Sequence, residues 1–220
     1  MGMGYWTIGG ALFSGEGCHY PTGRAVGYGK VDDEQSIKTI HTAIESGINL
    51  FDTADKYGAG HGESVLGNAL KNKRNDVVIS TKVGHTFDSE SLENTGTNIT
   101  PSYIESACMQ SLKRLQTDWI DLYFLHVDGV EDTAAIAVFE TMERLCERGL
   151  IRYFGWSTDS AESCKIIKDF PHGVAIQHDI NIFQDTPDII KLCESEGLTS
   201  INRCPLAMGF LTGNFPKLAH

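Results

Sequence analysis

The sequence predicts an α/β protein built on a parallel sheet, and three observations carry that expectation. Short apolar runs alternate with helix-patterned segments along most of the chain. The runs are apolar at consecutive positions, as strands covered on both faces must be. Six polar residues, Asp52, Lys82, His126, Ser157, Gln177 and Arg203, each close a different run at its C-terminal end. In a β/α barrel that end is the active-site face.

Taken in order, a first strand is expected within residues 2–8, followed by a long irregular segment, 9–31. Residues 33–46 set Ile37, Ile40 and Ile44 on one helical stripe and stop at Gly47. The run "INLFD" at 48 is the next strand and "DVVISTK" at 76 the one after it. A second irregular segment covers 84–100. Thr100 and Pro101 then supply an N-cap and first-turn pair for a helix carrying Ile104, Cys108, Leu112 and Leu115. "WIDLYFLH" at 119 reads as a strand. Residues 132–148 read as a helix with Ile136, Phe139, Met142 and Leu145, ending at Gly149. "IRYFGWS" at 151 and "VAIQHD" at 174 are strands; Thr186 and Pro187 open a helix closed by Gly197, before "LTSINR" at 198. Strand and helix in strict alternation mean parallel β/α units. Both irregular segments follow strands, which places them on one face, and loops of that length tend to be functional.

Composition narrows the class. A chain of 220 residues, 41% hydrophobic and 21% charged, suits one soluble domain. A net charge of −11 argues against a nucleic-acid surface. It leaves an anionic cofactor open, because backbone N–H groups and one or two basic side chains suffice for phosphate. Cys18, Cys108, Cys146, Cys164, Cys193 and Cys204 form no C-x-x-C pair, so reduced thiols in a cytoplasmic protein are expected. The N-terminus "MGMGYWTIGG" is no signal peptide, and no stretch has the length of a membrane span.

The residues at the strand ends suggest proton chemistry. A free tyrosine, with a pKa near ~10, is a poor acid or base at neutral pH. An adjacent ammonium favours its phenolate, and a carboxylate keeps that ammonium charged. Tyr57 is therefore the candidate general acid, with Lys82 tuning it, Asp52 holding Lys82 and His126 orienting a carbonyl oxygen. Singly these residues have blander readings: a turn cap for Asp52, loop packing for Tyr57, a core histidine for His126. Jointly, on one face, they form a site for carbonyl reduction. Asp55 and Lys56 read as solvated loop neighbours. Leu12, Phe13, Phe87 and Trp156 are candidate apolar walls. Two other chemistries use some of the same residues: a Schiff-base lysine at Lys82, and a metal hydrolase on His126, His178 and Asp179. The second is the weaker, since adjacent His178 and Asp179 face opposite ways on a strand.

The segment "GINLFDTADKYGAGHGESVLGNAL" resembles the signature of the aldo-keto reductase family. "VISTKVG" and "DLYFLH" are similar to its lysine and histidine strands, and "GLIRYFGWST", "IQHDIN" and "CPLAMGFLTGNF" to its later segments. The resemblance implies a (β/α)8 barrel of TIM type, NADP(H) as cofactor, and a small aldehyde or ketone as substrate. It makes Asp52, Tyr57, Lys82 and His126 a catalytic tetrad. It assigns Ser157 and Gln177, with Thr158 where an asparagine is usual, to the nicotinamide carboxamide. Arg203 stands where many members stack an aromatic ring on the nicotinamide, and Leu206, Gly209 and Leu211 lie in the loop that in relatives wraps the pyrophosphate. Ile180 replaces a common tyrosine. About seven β/α repeats are counted in residues 1–220, so this single domain is expected to be an incomplete barrel without an eighth repeat, and without the basic residues that in relatives grip the adenosine 2′-phosphate. A non-catalytic barrel that only senses cofactor is the alternative reading, and a homo-oligomer is compatible with the exposed sheet edges such a barrel would have.

Overall fold

A computed structural model describes residues 1–16, 20–27 and 29–213. Cys18, part of the 9–31 segment and the last two residues of "CPLAMGFLTGNF" lie outside them. Along the chain come β1 (Gly2–Gly4), α1 (Trp6–Gly9), β2 (Phe13–Ser14), α2 (Asp33–Glu45), β3 (Leu50–Asp52) and α3 (His61–Ala69). Then follow β4 (Val78–Val83), β5 (His85–Asp88), β6 (Glu93–Thr97), α4 (Pro101–Leu115), β7 (Ile120–Leu125) and α5 (Asp132–Glu147). The last group is β8 (Ile151–Ser157), α6 (Ala161–Cys164), β9 (Gly173–Asp179), α7 (Pro187–Glu196) and β10 (Thr199–Arg203). Short 3₁₀ turns occur at Arg74–Asp76, Ile167–Asp169 and Ala207–Thr212.

Seven strands form one all-parallel sheet in the order β1-β3-β4-β7-β8-β9-β10. The sheet is rolled, and one hydrogen bond shows it. Gln177 on β9 donates to Asp52 on β3 at 3.0 Å, although the two strands stand four places apart. In a flat sheet that separation is roughly 19 Å. Interior and exterior alternate with period two: Leu122, Phe124 and Ala175 pack inside, while Tyr123, Phe154, Trp156 and Ile176 join the outer helix-facing core. Phe139 of α5 lies against Phe154, Trp156 and Phe170 with ring centroids 5.5–5.6 Å apart. Gly155 makes room for Phe124 inside, since a Cβ there would come within 2.3 Å of its ring.

The helices follow the expected signals with small shifts. Asp32 caps α2 by accepting from Gln35 N at 3.0 Å. Thr100 precedes Pro101 as expected but does not cap; its hydroxyl donates to Asn98 instead. On α5 the buried face is Ala135, Val138, Phe139, Met142 and Leu145, and Ile136 is 40% exposed. No described helix is long and apolar enough to cross a membrane. The five described cysteines are free thiols.

Two expectations are corrected. The first strand stops at Gly4, because Tyr5 N makes the last bond of that edge, to Asp52 O, and Tyr5 O then closes a helical turn with Ile8 and Gly9. The segment 84–100 is not irregular: β5 and β6 form an antiparallel hairpin, and β2 from the 9–31 segment adds to it as a third strand. Asp88 builds its turn by accepting from Glu90 N and Ser91 N. This small sheet starts at the C-terminal end of β4 and so stands beside the barrel mouth.

Candidate active site

Strand parity builds the site. Ser80 and Lys82 point inward from β4, as do Phe124 and then His126 from β7, Gly155 and Ser157 from β8, and Ala175 and Gln177 from β9. Deep positions on these strands are apolar or small, and the polar residues come at the C-terminal ends. Asp52 and Ser157 are the last residues of their strands, and Lys82 lies one residue from the end of its own.

Asp52 is the hub. Its carboxylate accepts from Lys82 Nζ at 2.7 Å, Ser80 Oγ at 2.7 Å and Gln177 Nε2 at 3.0 Å. Lys82, 1% exposed, also donates to the Thr53 carbonyl at 2.6 Å. Burial opposes its charge, but the attraction of Asp52 and Tyr57 and their hydrogen bonds outweigh that, holding the lysine above its ordinary pKa. Lys82 Nζ lies 3.5 Å from Tyr57 OH, the outer limit of a hydrogen bond, and 5.1 Å from the tyrosine ring centre.

Tyr57 is fixed by a close backbone approach. Gly58 has φ +59°, and a Cβ there would fall 1.7 Å from Gly9 O; a Cβ on Gly9 would meet Tyr57 at 2.8 Å. Two glycines thus let the turn after β3 press against α1. Trp6 of α1 stacks on the Tyr57 ring at 6.1 Å, and His126 meets that ring edge-on at 6.3 Å. The expected lowering of the phenol pKa is not the net result. Burial raises it, the Lys82 ammonium lowers it by less, and Tyr57 ends above its ordinary value. It therefore holds its proton throughout the neutral range. Burial, with Lys56 and Lys82 nearby, pushes His126 well below its ordinary pKa, so the imidazole is neutral. Its Nδ1 is buried without a partner among the described residues, a polar atom in want of a ligand. His85, at the start of β5, packs edge-on to His126 at 5.2 Å and is pushed down to about 3, chiefly by burial.

On the opposite wall Ser157 Oγ donates to Gln177 Oε1 at 3.1 Å, and Thr158 Oγ1 accepts from Ser160 N. All three side chains are nearly fully buried. Arg203 is held by two carboxylates: Nη2 lies 2.5 Å from Asp159 Oδ2, and Nη1 3.1 Å from Asp179 Oδ1. Its Nε is buried and has no partner among the described residues. Leu206 is exposed, and Gly209 has φ +95°. The Gly209 and Leu211 amides both donate to the Leu206 carbonyl, so the loop after β10 spends these two N–H groups on its own turn.

Other expectations fall away or sharpen. Trp156 is no wall of the mouth: it faces the helices, fully buried, with Nε1 donating to Val127 O. Asp55 is not solvated; it is 1% exposed, neither carboxylate oxygen has a partner among the described residues, and burial raises its pKa well above the ordinary range. His178 faces away from Asp179, as strand parity requires, and its two ring nitrogens bond Ser200 and Thr186. Four contributors were not anticipated: Ser80, Trp6, His85 and Asp159. Ser80 was legible, since it precedes Lys82 by two on the same strand and must share its face. The other three reach the site through turns that the sequence does not aim.

Comparison with known proteins places the chain in a family. A family model described as the Aldo/keto reductase family matches residues 1–220. The uncharacterised oxidoreductase YqkF of Bacillus subtilis is 35% identical over 182 residues, covering 82% of this chain and 59% of that protein. The holo form of aldo-keto reductase AKR11C1 from Bacillus halodurans superposes with a TM-score of 0.81 at 30% identity, over 99% of this chain and 66% of that one. An aldo/keto reductase from Klebsiella pneumoniae in complex with NADP and acetate gives 0.72 at 25% identity, over 99% and 68%. The chain thus spans about three fifths of the length of the curated relatives it matches.

Proposed function

As the chain belongs to the aldo/keto reductase family, we propose that it carries the NADPH-dependent reduction of an aldehyde or ketone, with Tyr57 as the proton donor. The observation that carries this reading is the buried ladder Asp52–Lys82–Tyr57, which ends in a phenol beside the His126 imidazole. The donors at the mouth suit the cofactor. Ser157 and Gln177 each keep unused hydrogen-bonding capacity for a carboxamide, and the half-exposed Arg203 guanidinium offers a flat face for the nicotinamide. NADPH, when bound, supplies the hydride to the carbonyl carbon.

The remaining steps belong to the chain's own residues. His126 donates a hydrogen bond to the carbonyl oxygen from its neutral ring and fixes the plane of attack. As negative charge grows on that oxygen, the Tyr57 O–H transfers its proton there. The phenolate left behind faces the Lys82 ammonium, whose charge Asp52 maintains. The ladder is therefore matched to the charge present after proton transfer rather than before it. Water then restores the tyrosine proton.

Replacing Tyr57 by Phe tests this directly. NADPH fluorescence should report the same saturable binding in both proteins, whereas aldehyde-dependent NADPH consumption should fall by about a hundredfold or more. Equal turnover by the variant, or no NADPH binding to folded chain, would refute the reading.

A further inference from the structure

The charges around the mouth are nearly all matched. Lys82 has Asp52, and Arg203 has Asp159 and Asp179. Lys56 is the exception: it makes no ion pair with any described carboxylate. Yet it is only half-exposed, and its charge is felt across the barrel. The charged and titratable groups it interacts with are Asp55 in its own turn, Lys82 on β4, His85 on β5, His126 and Asp128 after β7, and Arg203 at the end of β10. Its backbone lies in the turn after β3, directly before Tyr57, at the mouth. The turn that sets Tyr57 also sets Lys56, through Tyr57 N to Ala54 O at 3.1 Å and Ala59 N to Lys56 O at 3.0 Å.

Neither nearby acid forms an ion pair with it among the described residues. Burial raises the Asp55 carboxyl well above the ordinary range, and Asp128 is exposed to water. Burial, together with the repulsion of Lys82 and Arg203, outweighs the attraction of Asp55 and Asp128 and lowers Lys56 to about 8. A confined cation without a fixed partner is a standing electrostatic cost, and an arriving anion removes it.

We propose that Lys56 determines specificity: its ammonium forms a subsite at the mouth for a carboxylate on the carbonyl substrate. The proposal rests on Tyr57 being the proton donor, because the two residues are neighbours and the carboxylate must lie within a few bonds of the reacting carbonyl. Short-chain and aryl oxo acids meet that requirement.

The test compares kcat/KM for 4-carboxybenzaldehyde and its methyl ester in the wild type, Lys56→Met and Lys56→Arg. The acid-to-ester ratio should fall about tenfold or more in Lys56→Met and be largely retained in Lys56→Arg. An unchanged ratio in Lys56→Met overturns the proposal. So does a weakening of NADPH affinity that accounts for the whole effect, since Lys56 would then be holding a cofactor phosphate. If neither aldehyde is turned over, the reductase reading has failed, and calorimetry with 4-carboxybenzyl alcohol decides the subsite separately. Binding by the wild type that Lys56→Met abolishes sustains it; equal binding by both, or none by either, overturns it.

Discussion

Replacing Asp52 by Asn isolates the ion pair at the heart of the site. The variant keeps the shape of the side chain but removes the charge that faces Lys82 at 2.7 Å. At that distance two unit charges attract by about 6 kcal/mol at an effective dielectric of 20, and by about 1.5 kcal/mol in bulk water. Lys82 is 1% exposed and Asp52 19%, so the pair lies nearer the first limit. Removing one partner from a buried pair typically costs about 3–5 kcal/mol. Part of that is recovered if Lys82 gives up its proton, at about 1.4 kcal/mol per unit of pKa shift. We therefore expect Asp52→Asn to lose about 3 kcal/mol or more in urea denaturation, and the double variant Asp52→Asn with Lys82→Met to be more stable than Asp52→Asn alone. Simple additivity in that cycle, with a coupling below about 0.5 kcal/mol, would refute the claim that a buried charge needs Asp52. An Asp52→Asn chain that is unfolded while the double variant folds would support the same conclusion.

Other outcomes follow from the same geometry. Gly58→Ala must relieve a 1.7 Å approach to Gly9 O at a positive φ; stability should fall by about 1–2 kcal/mol or more, and turnover further than that, because Tyr57 moves with the turn. A larger loss of stability than of turnover would count against it. Asp55 has a raised pKa in the folded chain, so its contribution is fully present below the unfolded carboxylate value and is lost as pH rises through the folded one. The isosteric Asp55→Asn should accordingly be more stable than wild type near neutral pH, with the advantage vanishing towards about pH 4; urea midpoints across that range measure it. For the proposed reduction, a raised Tyr57 and a depressed His126 predict a kcat/KM that is flat through neutrality and falls on the alkaline side as the phenol ionises. A fall between about pH 6 and 7 would show that His126 works as an imidazolium.

The sequence discloses most of the barrel because its strands are buried on both faces. Runs such as "DVVISTK" and "DLYFLH" have no competing helical reading, and parity alone carries Lys82 and His126 inward. It discloses less where structure depends on pairing between distant segments. The hairpin of β5 and β6 is rich in Asp, Ser, Asn and Gly, which read as loop, and its third strand comes from about 80 residues earlier in the chain. The depth of a turn is equally hard to read. Asp55 and Lys56 look like solvated residues because they are charged, but the press of Gly58 on Gly9 draws the whole turn in. Arg203 was legible as a residue of the mouth, whereas its two carboxylate partners depend on the mutual register of β8, β9 and β10.

The bond between Gln177 and Asp52 joins residues 125 positions apart, whereas the Asp52–Lys82 pair spans only 30. On a chain made from its N-terminus, the lysine therefore meets its carboxylate soon after β4 emerges, long before β9 exists. Distant contacts form late, because the closure of a long loop must come first. The Asp52–Lys82 half of the site is therefore expected to assemble early, and the half that carries Ser157 and Gln177 to dock onto it last. A ribosome-bound chain stalled after β4 should already protect Lys82 from acylating reagents, and one stalled before β9 should gain nothing more.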